Sequence, residues 1–325
     1  MISNRQLIDK INSYGKQQKP FFLVVDFEQK NPQLFDIDQL QNEQIKVTFP
    51  TFQTKESSNK TKLENIIINK QPISYVEYKK GFDVVQHNLH YGNSFLTNYT
   101  TSTPIELNCD LNTLYDQATA KYKINFKNKW ICFSPEIFVQ TKAGRIYSYP
   151  MKGTIDASIP NAEKIILNDV KEKAEHYTIV DLIRNDLSMV AHHIQVNRFR
   201  YIDTLKTSSK TLLQVSSEVC GELPMDYLQH LGDIIFTLLP AGSISGAPKA
   251  KTIEIIQEAE SEPRGYYTGV AFYFDGKELD SCVLIRFVEK INNKYFYKSG
   301  GGITTNSIPE KEYQELIDKI YVPSI

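Results

Sequence analysis

Four glutamates in two matched pairs carry the clearest chemical potential in this sequence. Glu172 and Glu175 stand three apart in DVKEKAEHYTIVDLIRNDLSMV, and Glu312 and Glu315 repeat the spacing in SIPEKEYQELIDKI. Residues three apart on a helix have Cβ atoms roughly 5–6 Å apart, so each pair can grip one cation. Two such pairs facing each other would offer only carboxylate oxygens, the hard donor set that suits Mg²⁺. The first stretch reads as a helix over residues 169–190. On a period of about 3.6 residues, Glu172, Glu175, His176, Ile179, Ile183, Asp186 and Val190 share one stripe, so charge falls on the face that aliphatic residues bury. Buried carboxylates need a cation, a metal or a shared proton. The competing reading leaves the glutamates in a solvated first turn, where they favour the helix dipole. The second stretch predicts a helix opening with a Ser307 to Glu310 capping box and Pro309 in its first turn.

Three further places carry reactive groups. Tyr149-Pro150-Met151-Lys152-Gly153-Thr154 reads as the end of a strand, and Gly153 lets a backbone or ligand approach Lys152 closely; a lone lysine is otherwise a surface residue. Ser134-Pro135-Glu136 sets a carboxylate just past an aromatic strand, where the bland alternative is a solvated turn acid. Gly242-Ser243-Ile244-Ser245-Gly246-Ala247-Pro248-Lys249 reads as a loop entering a helix, with Pro248 in its first turn and Ile253, Ile256 and Ala259 on the buried side. Such a helix start can bind an anion, but the spacing of a nucleotide-binding P-loop is absent.

These groups need a scaffold, and the composition supplies one. The chain has 325 residues, 41% hydrophobic and 23% charged, with a net charge of −1, which suits an ordinary globular protein and implies no nucleic-acid partner. Candidate motifs run from residue 92 to 315, so residues 1–325 are read as a single domain, with 1–75 a shortened N-terminal part of it. No apolar run approaches the roughly 18 residues of a membrane span, and the N-terminus lacks a signal-peptide core; a cytoplasmic location is expected. Cys109, Cys132, Cys220 and Cys282 are widely spaced and read as reduced structural thiols, so the N-x-[ST] matches at Asn59 and Asn98 carry no meaning. Residues 20–28 read as an early buried strand and Gln53 to Gln71 as a polar exposed connection. Short β-rich runs at 130–133, 146–149, 270–274, 281–285 and 294–297, without regular helices between them, predict an α+β fold of mainly antiparallel sheet with helices outside.

The ordered motifs Gly92-Asn93-Ser94-Phe95, Ser134-Pro135-Glu136, Pro150 to Thr154, Lys171 to His176, Val180 to Leu187, Pro240 to Lys249, Arg264 to Gly269, Ile285-Arg286 and Gly300 to Glu315 resemble those of the chorismate-utilising enzymes. Within that family the pattern resembles the aminodeoxychorismate synthase branch. The resemblance spans residues 92–319. It implies two stacked, mainly antiparallel sheets flanked by helices, with a Mg²⁺-dependent chorismate site between them. It further implies Glu175 and Glu315 as direct Mg²⁺ ligands and Glu172 and Glu312 as holders of the metal's waters. Arg286, Tyr267 and the backbone of Gly301 and Gly302 would receive the enolpyruvyl carboxylate, a bidentate task that suits guanidinium. Gly153, Thr154 and Lys249 would line the same pocket.

Lys152 carries the expected specificity. Anthranilate synthases resemble this chain but usually have a small residue there, whereas the branch that makes 4-amino-4-deoxychorismate has lysine. A neutral Lys152 amine would attack C2 of chorismate as the 4-hydroxyl leaves, Glu136 would protonate that hydroxyl, and ammonia would then attack C4 and expel the lysine. The ammonia would come from a glutamine amidotransferase partner, for 4-aminobenzoate and folate biosynthesis. Isochorismate and salicylate synthases resemble this chain but need a lysine where it has Leu96. Two departures stand out. Gln214 occupies the place of a commonly found histidine, leaving hydrogen bonding in place of proton transfer, and no tryptophan-binding serine motif is present. The alternatives are an anthranilate synthase component and a catalytically idle anion-binding protein.

Overall fold

The computed structural model describes residues 3–55, 66–206 and 211–323. Its strands fall into three antiparallel sheets among the described residues. Phe21–Val25 is apolar at all five positions and buried at all five, as a strand covered on both faces must be. It lies inside a four-stranded sheet, with Val270–Phe274 and Leu279–Val283 on one side and Gln33–Asp36 on the other. A nine-stranded sheet runs from Gly246–Ala247 through Leu96–Leu107, Lys294–Ile303, Phe287–Ile291, Trp130–Ser134 and Tyr122–Phe126 to Ile45–Phe49 and Phe52–Gln53, with Ile68–Lys70 beside Leu96–Leu107. The faces of these two sheets meet through Phe22, Val24, Ala271 and Cys282 on one side and Val47, Ile124, Cys132 and Phe287 on the other.

The five-stranded sheet centres on Thr211–Glu222, which pairs with His192–Lys206, Met151–Asp156 and Arg145–Ser148, with Gln140–Lys142 beyond. Residues 136–140 stitch it to the four-stranded sheet. Phe138 N–H donates to Ser281 O at 3.0 Å and Val283 N–H to Glu136 O at 3.2 Å. Thus the α+β design of stacked antiparallel sheets holds, with one of the two expected layers made of two sheets joined along this seam. Helices Asn4–Lys16, Val170–Ser188 and Leu231–Leu238 close a second core against the far side of the four-stranded sheet, through Leu7, Ile11, Val180, Ile183, Leu231 and Phe272.

Several local expectations change. The strand near Lys152 begins at Met151 and runs to Asp156, because Pro150 breaks it from Arg145–Ser148. Pro248 is the N-cap of Lys249–Ala259 and stands outside its first turn; Thr252, Ile255 and Ile256 form the buried stripe, while Ile253 and Ala259 are half-buried. The helix Pro309–Asp318 has Ile308 as N-cap and no capping box. Ser307 Oγ donates instead to Glu312 Oε1 at 2.8 Å and accepts from Thr304 N–H, while Glu310 is drawn away to the Tyr75 hydroxyl. Gln53 and Ile68–Lys70 pair as strands, although both lie in the stretch expected to be loop; Asn59 lies outside the described residues. The four cysteines are unpaired thiols.

Candidate active site

The helix Val170–Ser188 forms as its stripe requires, capped by Asp169, whose side chain accepts from Glu172 N–H at 2.8 Å. His176, Ile179 and Ile183 are buried and Glu172 and Glu175 half-buried at its N-terminal end. His176 Nε2 and Ser217 Oγ lie 2.7 Å apart, which ties the helix to the strand Thr211–Glu222. Burial, with help from Arg200 and Lys152, pushes the His176 pKa down to about 4, so the ring is neutral at pH 7.

A cavity of about 470 Å³ opens where this helix, the Pro309–Asp318 helix and strands from the five- and nine-stranded sheets converge. Its walls gather Lys152, Glu136, Gly153, Thr154, Gln214, Tyr267, Arg286, Gly301 and Gly302 with all four glutamates. The structure does not bring Lys249 to this wall. Its ammonium is held by Asp186 at 3.0 Å and the Leu238 carbonyl at 3.1 Å, a structural clamp between two helices.

Within the cavity, charges are arranged in alternation. Lys152 Nζ lies 3.3 Å from Glu175 Oε2, and Lys319 Nζ lies 2.7 Å from Glu315 Oε1 and 2.8 Å from the Gly300 carbonyl. Gly153, at φ +82°, takes a left-handed turn, and a Cβ there would lie 3.0 Å from Glu172 Oε2. On the opposite wall, a Cβ on Gly301 would sit between Lys319 Nζ at 3.6 Å and Glu312 Oε2 and Glu315 Oε1 at 3.7 Å. A Cβ on Gly302 would lie 3.0 Å from Leu96 Cδ1 and 3.3 Å from Lys152 Nζ. Gly301 and Gly302 therefore keep open the space between the carboxylate pair and the lysine.

Among the described residues, no three His, Cys, Asp or Glu side chains form a ready metal cluster. The donor chemistry fits a divalent cation nonetheless. The lining carboxylates supply hard oxygens, and the ammonium groups on Glu175 and Glu315 stand as cations where a metal's charge would be balanced. Glu136 occupies another part of the wall. Its Oε1 accepts from Ser243 Oγ at 2.6 Å, and burial raises its pKa, partly opposed by that bond and by Lys152, Arg286 and Lys319. Arg286 adopts a left-handed backbone at φ +53°, a strained conformation of the kind that gathers at functional sites, and its Nε lies 3.1 Å from the Tyr321 hydroxyl.

The sequence reading missed Lys319, Asn98, Thr268 and Lys298, all on the cavity wall. Lys319 carried a usable signal, since it stands four residues after Glu315, on the same helical face. Asn98 and Lys298 come from strands whose facing depends on register, and Thr268 from a turn at φ +58°, neither of which local pattern determines.

The cavity is lined by sheet and carries two carboxylate pairs, three lysines and a half-buried arginine, charges that a small polar ligand could meet. In agreement, residues 7–323 match the family of chorismate binding enzymes, and the chain belongs to that family. It is 46% identical over 319 residues to an uncharacterized PabA-like protein of Haemophilus influenzae, covering 98% of this chain and 97% of the relative. It is 35% identical over 199 residues to aminodeoxychorismate synthase component 1 of Bacillus subtilis, covering 59% of this chain and 41% of that one. Anthranilate synthase component 1 of Aquifex aeolicus is 36% identical over 208 residues, or 61% of this chain and 41% of the relative. In fold, the chain is similar to a solved structure of a putative 2,3-dihydroxybenzoate-specific isochorismate synthase from Bacillus anthracis. That likeness has a TM-score of 0.71 at 20% identity and covers 97% of this chain and 86% of the other.

Proposed function

We propose that this chain aminates chorismate to 4-amino-4-deoxychorismate, taking ammonia from a glutamine amidotransferase partner, as a cytoplasmic step toward 4-aminobenzoate and folate. The carrying observation is Lys152 in the cavity wall, 3.3 Å from Glu175 and against Gly302. Identity alone does not separate the two aminating activities, since relatives named for each match equally well. The lysine favours the C4 product.

The ring carboxylate would lie toward the four glutamates, where a bound Mg²⁺ would supply the positive charge that carboxylates alone cannot. Arg286 and Tyr267 would hold the enolpyruvyl carboxylate through N–H and O–H donors. Lys152, neutral after giving up a proton, would form a bond from Nζ to C2. The C1–C2 and C5–C6 double bonds would shift along the ring and expel the hydroxyl at C4. Glu136 would hand that oxygen a proton, so water departs. Ammonia would then bond to C4, the double bonds would shift back, and Lys152 would leave with the electrons of its C2 bond. Leu96, apolar and buried at the site where related isochorismate synthases need lysine, supports amination over hydration.

The test is mass spectrometry of the product formed from chorismate, ammonium and Mg²⁺. 4-Amino-4-deoxychorismate as the main product is expected; anthranilate would favour the sister activity, and isochorismate or salicylate would overturn the reading.

A further inference from the structure

The glycine/serine stretch at residues 242–249 resembles an anion loop in sequence, yet its role in the structure is different. Gly242–Ser245 forms a single helical turn, buried at Gly242, Ile244 and Ser245. A Cβ on Gly242 would lie 2.8 Å from Asp186 Oδ2, so the turn is pressed against the Val170–Ser188 helix. Ser245 Oγ donates to Ala241 O at 2.9 Å, and the buried Arg264 donates to Ile244 O at 2.8 Å. Ser243, between these anchors, aims its hydroxyl at Glu136 Oε1, 2.6 Å away, and both side chains line the cavity. The other end of Glu136 is equally fixed. Its N–H donates to Ser134 Oγ at 3.1 Å and its carbonyl accepts from Val283 N–H at 3.2 Å.

We infer that Ser243 is a positioning residue for the proton donor: it holds one oxygen of Glu136 so that the other carries the proton to the departing hydroxyl. This rests on the amination reading, in which Glu136 protonates the leaving group. A carboxyl free to rotate would offer either oxygen in several orientations, and proton transfer falls off steeply with misalignment. The hydroxyl bond also favours the ionised carboxyl, against the burial that favours the neutral one. Among the described residues, Lys152, Arg286, Lys319, Tyr267 and Cys282 also interact electrostatically with Glu136.

The experiment compares wild type, Ser243→Ala and Ser243→Thr with chorismate, ammonium and Mg²⁺ across pH 6–9. Loss of the one hydrogen bond that aligns the carboxyl predicts a fall in kcat on the order of tenfold in Ser243→Ala. KM for chorismate should stay within about twofold, since uniform binding is untouched. Because the donor works protonated and the lost bond favoured ionisation, the alkaline limb of kcat should move to higher pH. Ser243→Thr, which keeps the hydroxyl, should restore both. Wild-type kcat and pH profile in Ser243→Ala would overturn the inference. So would a raised KM at unchanged kcat, which would mean that the hydroxyl touches substrate. If Ser243→Ala fails to fold, Ser243→Cys, close in size with a weaker donor, carries the same comparison. Wild type that turns over no chorismate refutes the amination reading itself, a result visible before any variant is made.

Discussion

Lys152 is an ion-pair partner of Glu175 in the structure, and the proposed attack on C2 requires the same amine to lose its proton. Lys152→Ala is therefore expected to abolish any covalent adduct and to shift residual product toward direct attack of ammonia at C2. Lys152→Arg should do no better, because guanidinium stays protonated. Incubating wild type with chorismate and Mg²⁺ without ammonia, then mapping peptides by mass spectrometry, checks for the adduct. An unmodified Lys152 peptide, together with wild-type production of 4-amino-4-deoxychorismate by Lys152→Ala, would make the lysine a bystander. Gly301 gives a second residue-scale expectation. A Cβ there meets its three nearest atoms at 3.6–3.7 Å, ordinary contact, yet it would point into the cavity. Gly301→Val should thus fold with little loss of stability while raising KM for chorismate at least tenfold, as steady-state kinetics would reveal. The glutamate pairs were legible in the sequence because a helical spacing is a local signal, whereas Lys152, by itself a surface lysine, stood out only through the family resemblance. The Ser243–Glu136 bond spans 107 residues and could be seen only once the sheets had brought its ends together.

At the scale of elements, the cavity's back wall depends on Arg264. This side chain is 2% exposed and pairs with Glu260, 6% exposed, at 2.6 Å. It also donates to the carbonyls of Asn98 and Ile244, joining the Leu96–Leu107 strand to the turn that bears Ser243. Lys298, from the Lys294–Ile303 strand, donates to the Arg264 carbonyl at 3.0 Å. Removing one partner of a buried pair strands the other, so Arg264→Met should destabilise by roughly 3–5 kcal/mol, read from urea midpoints. Adding Glu260→Gln, which keeps an acceptor for Thr100 but removes the stranded charge, should recover part of that loss. A single variant within about 1 kcal/mol of wild type would contradict the role. Element reading from sequence succeeded for the Val170–Ser188 helix, where a polar cap precedes a long amphipathic stripe. It failed at the Ser307 cap because Glu312, a turn further into the same helix, took the hydroxyl that the pattern assigns to Glu310, while Tyr75 of another helix drew Glu310 away. The seam at residues 136–140 was equally invisible, since strand pairing across 140 or so positions leaves no periodic trace.

For the whole molecule, the decisive feature is that the cavity belongs to no single layer. Lys152 and Gln214 come from the five-stranded sheet, Gly301 and Gly302 from the nine-stranded one, and the glutamates from two helices. We propose that residues 1–325 behave as one domain, so anything bound in the cavity should stabilise the fold as a unit. Mass action adds about 2.7 kcal/mol when free ligand is a hundred times Kd. For a chain of this length, that corresponds to a rise in Tm on the order of 5 °C. Calorimetry should therefore show one transition, moved upward as a whole by chorismate with Mg²⁺ and less by either alone. On the proposal that a divalent ion uses the carboxylates now faced by Lys152 and Lys319, Glu175→Gln and Glu315→Gln should each lose most of the Mg²⁺-dependent part of the shift. Turnover should be lost in the same variants. Two separate transitions, with only one moved by ligand, would refute the single unit. A Mg²⁺-dependent shift undiminished in both variants would place the ion elsewhere and remove the glutamate pairs from the site chemistry.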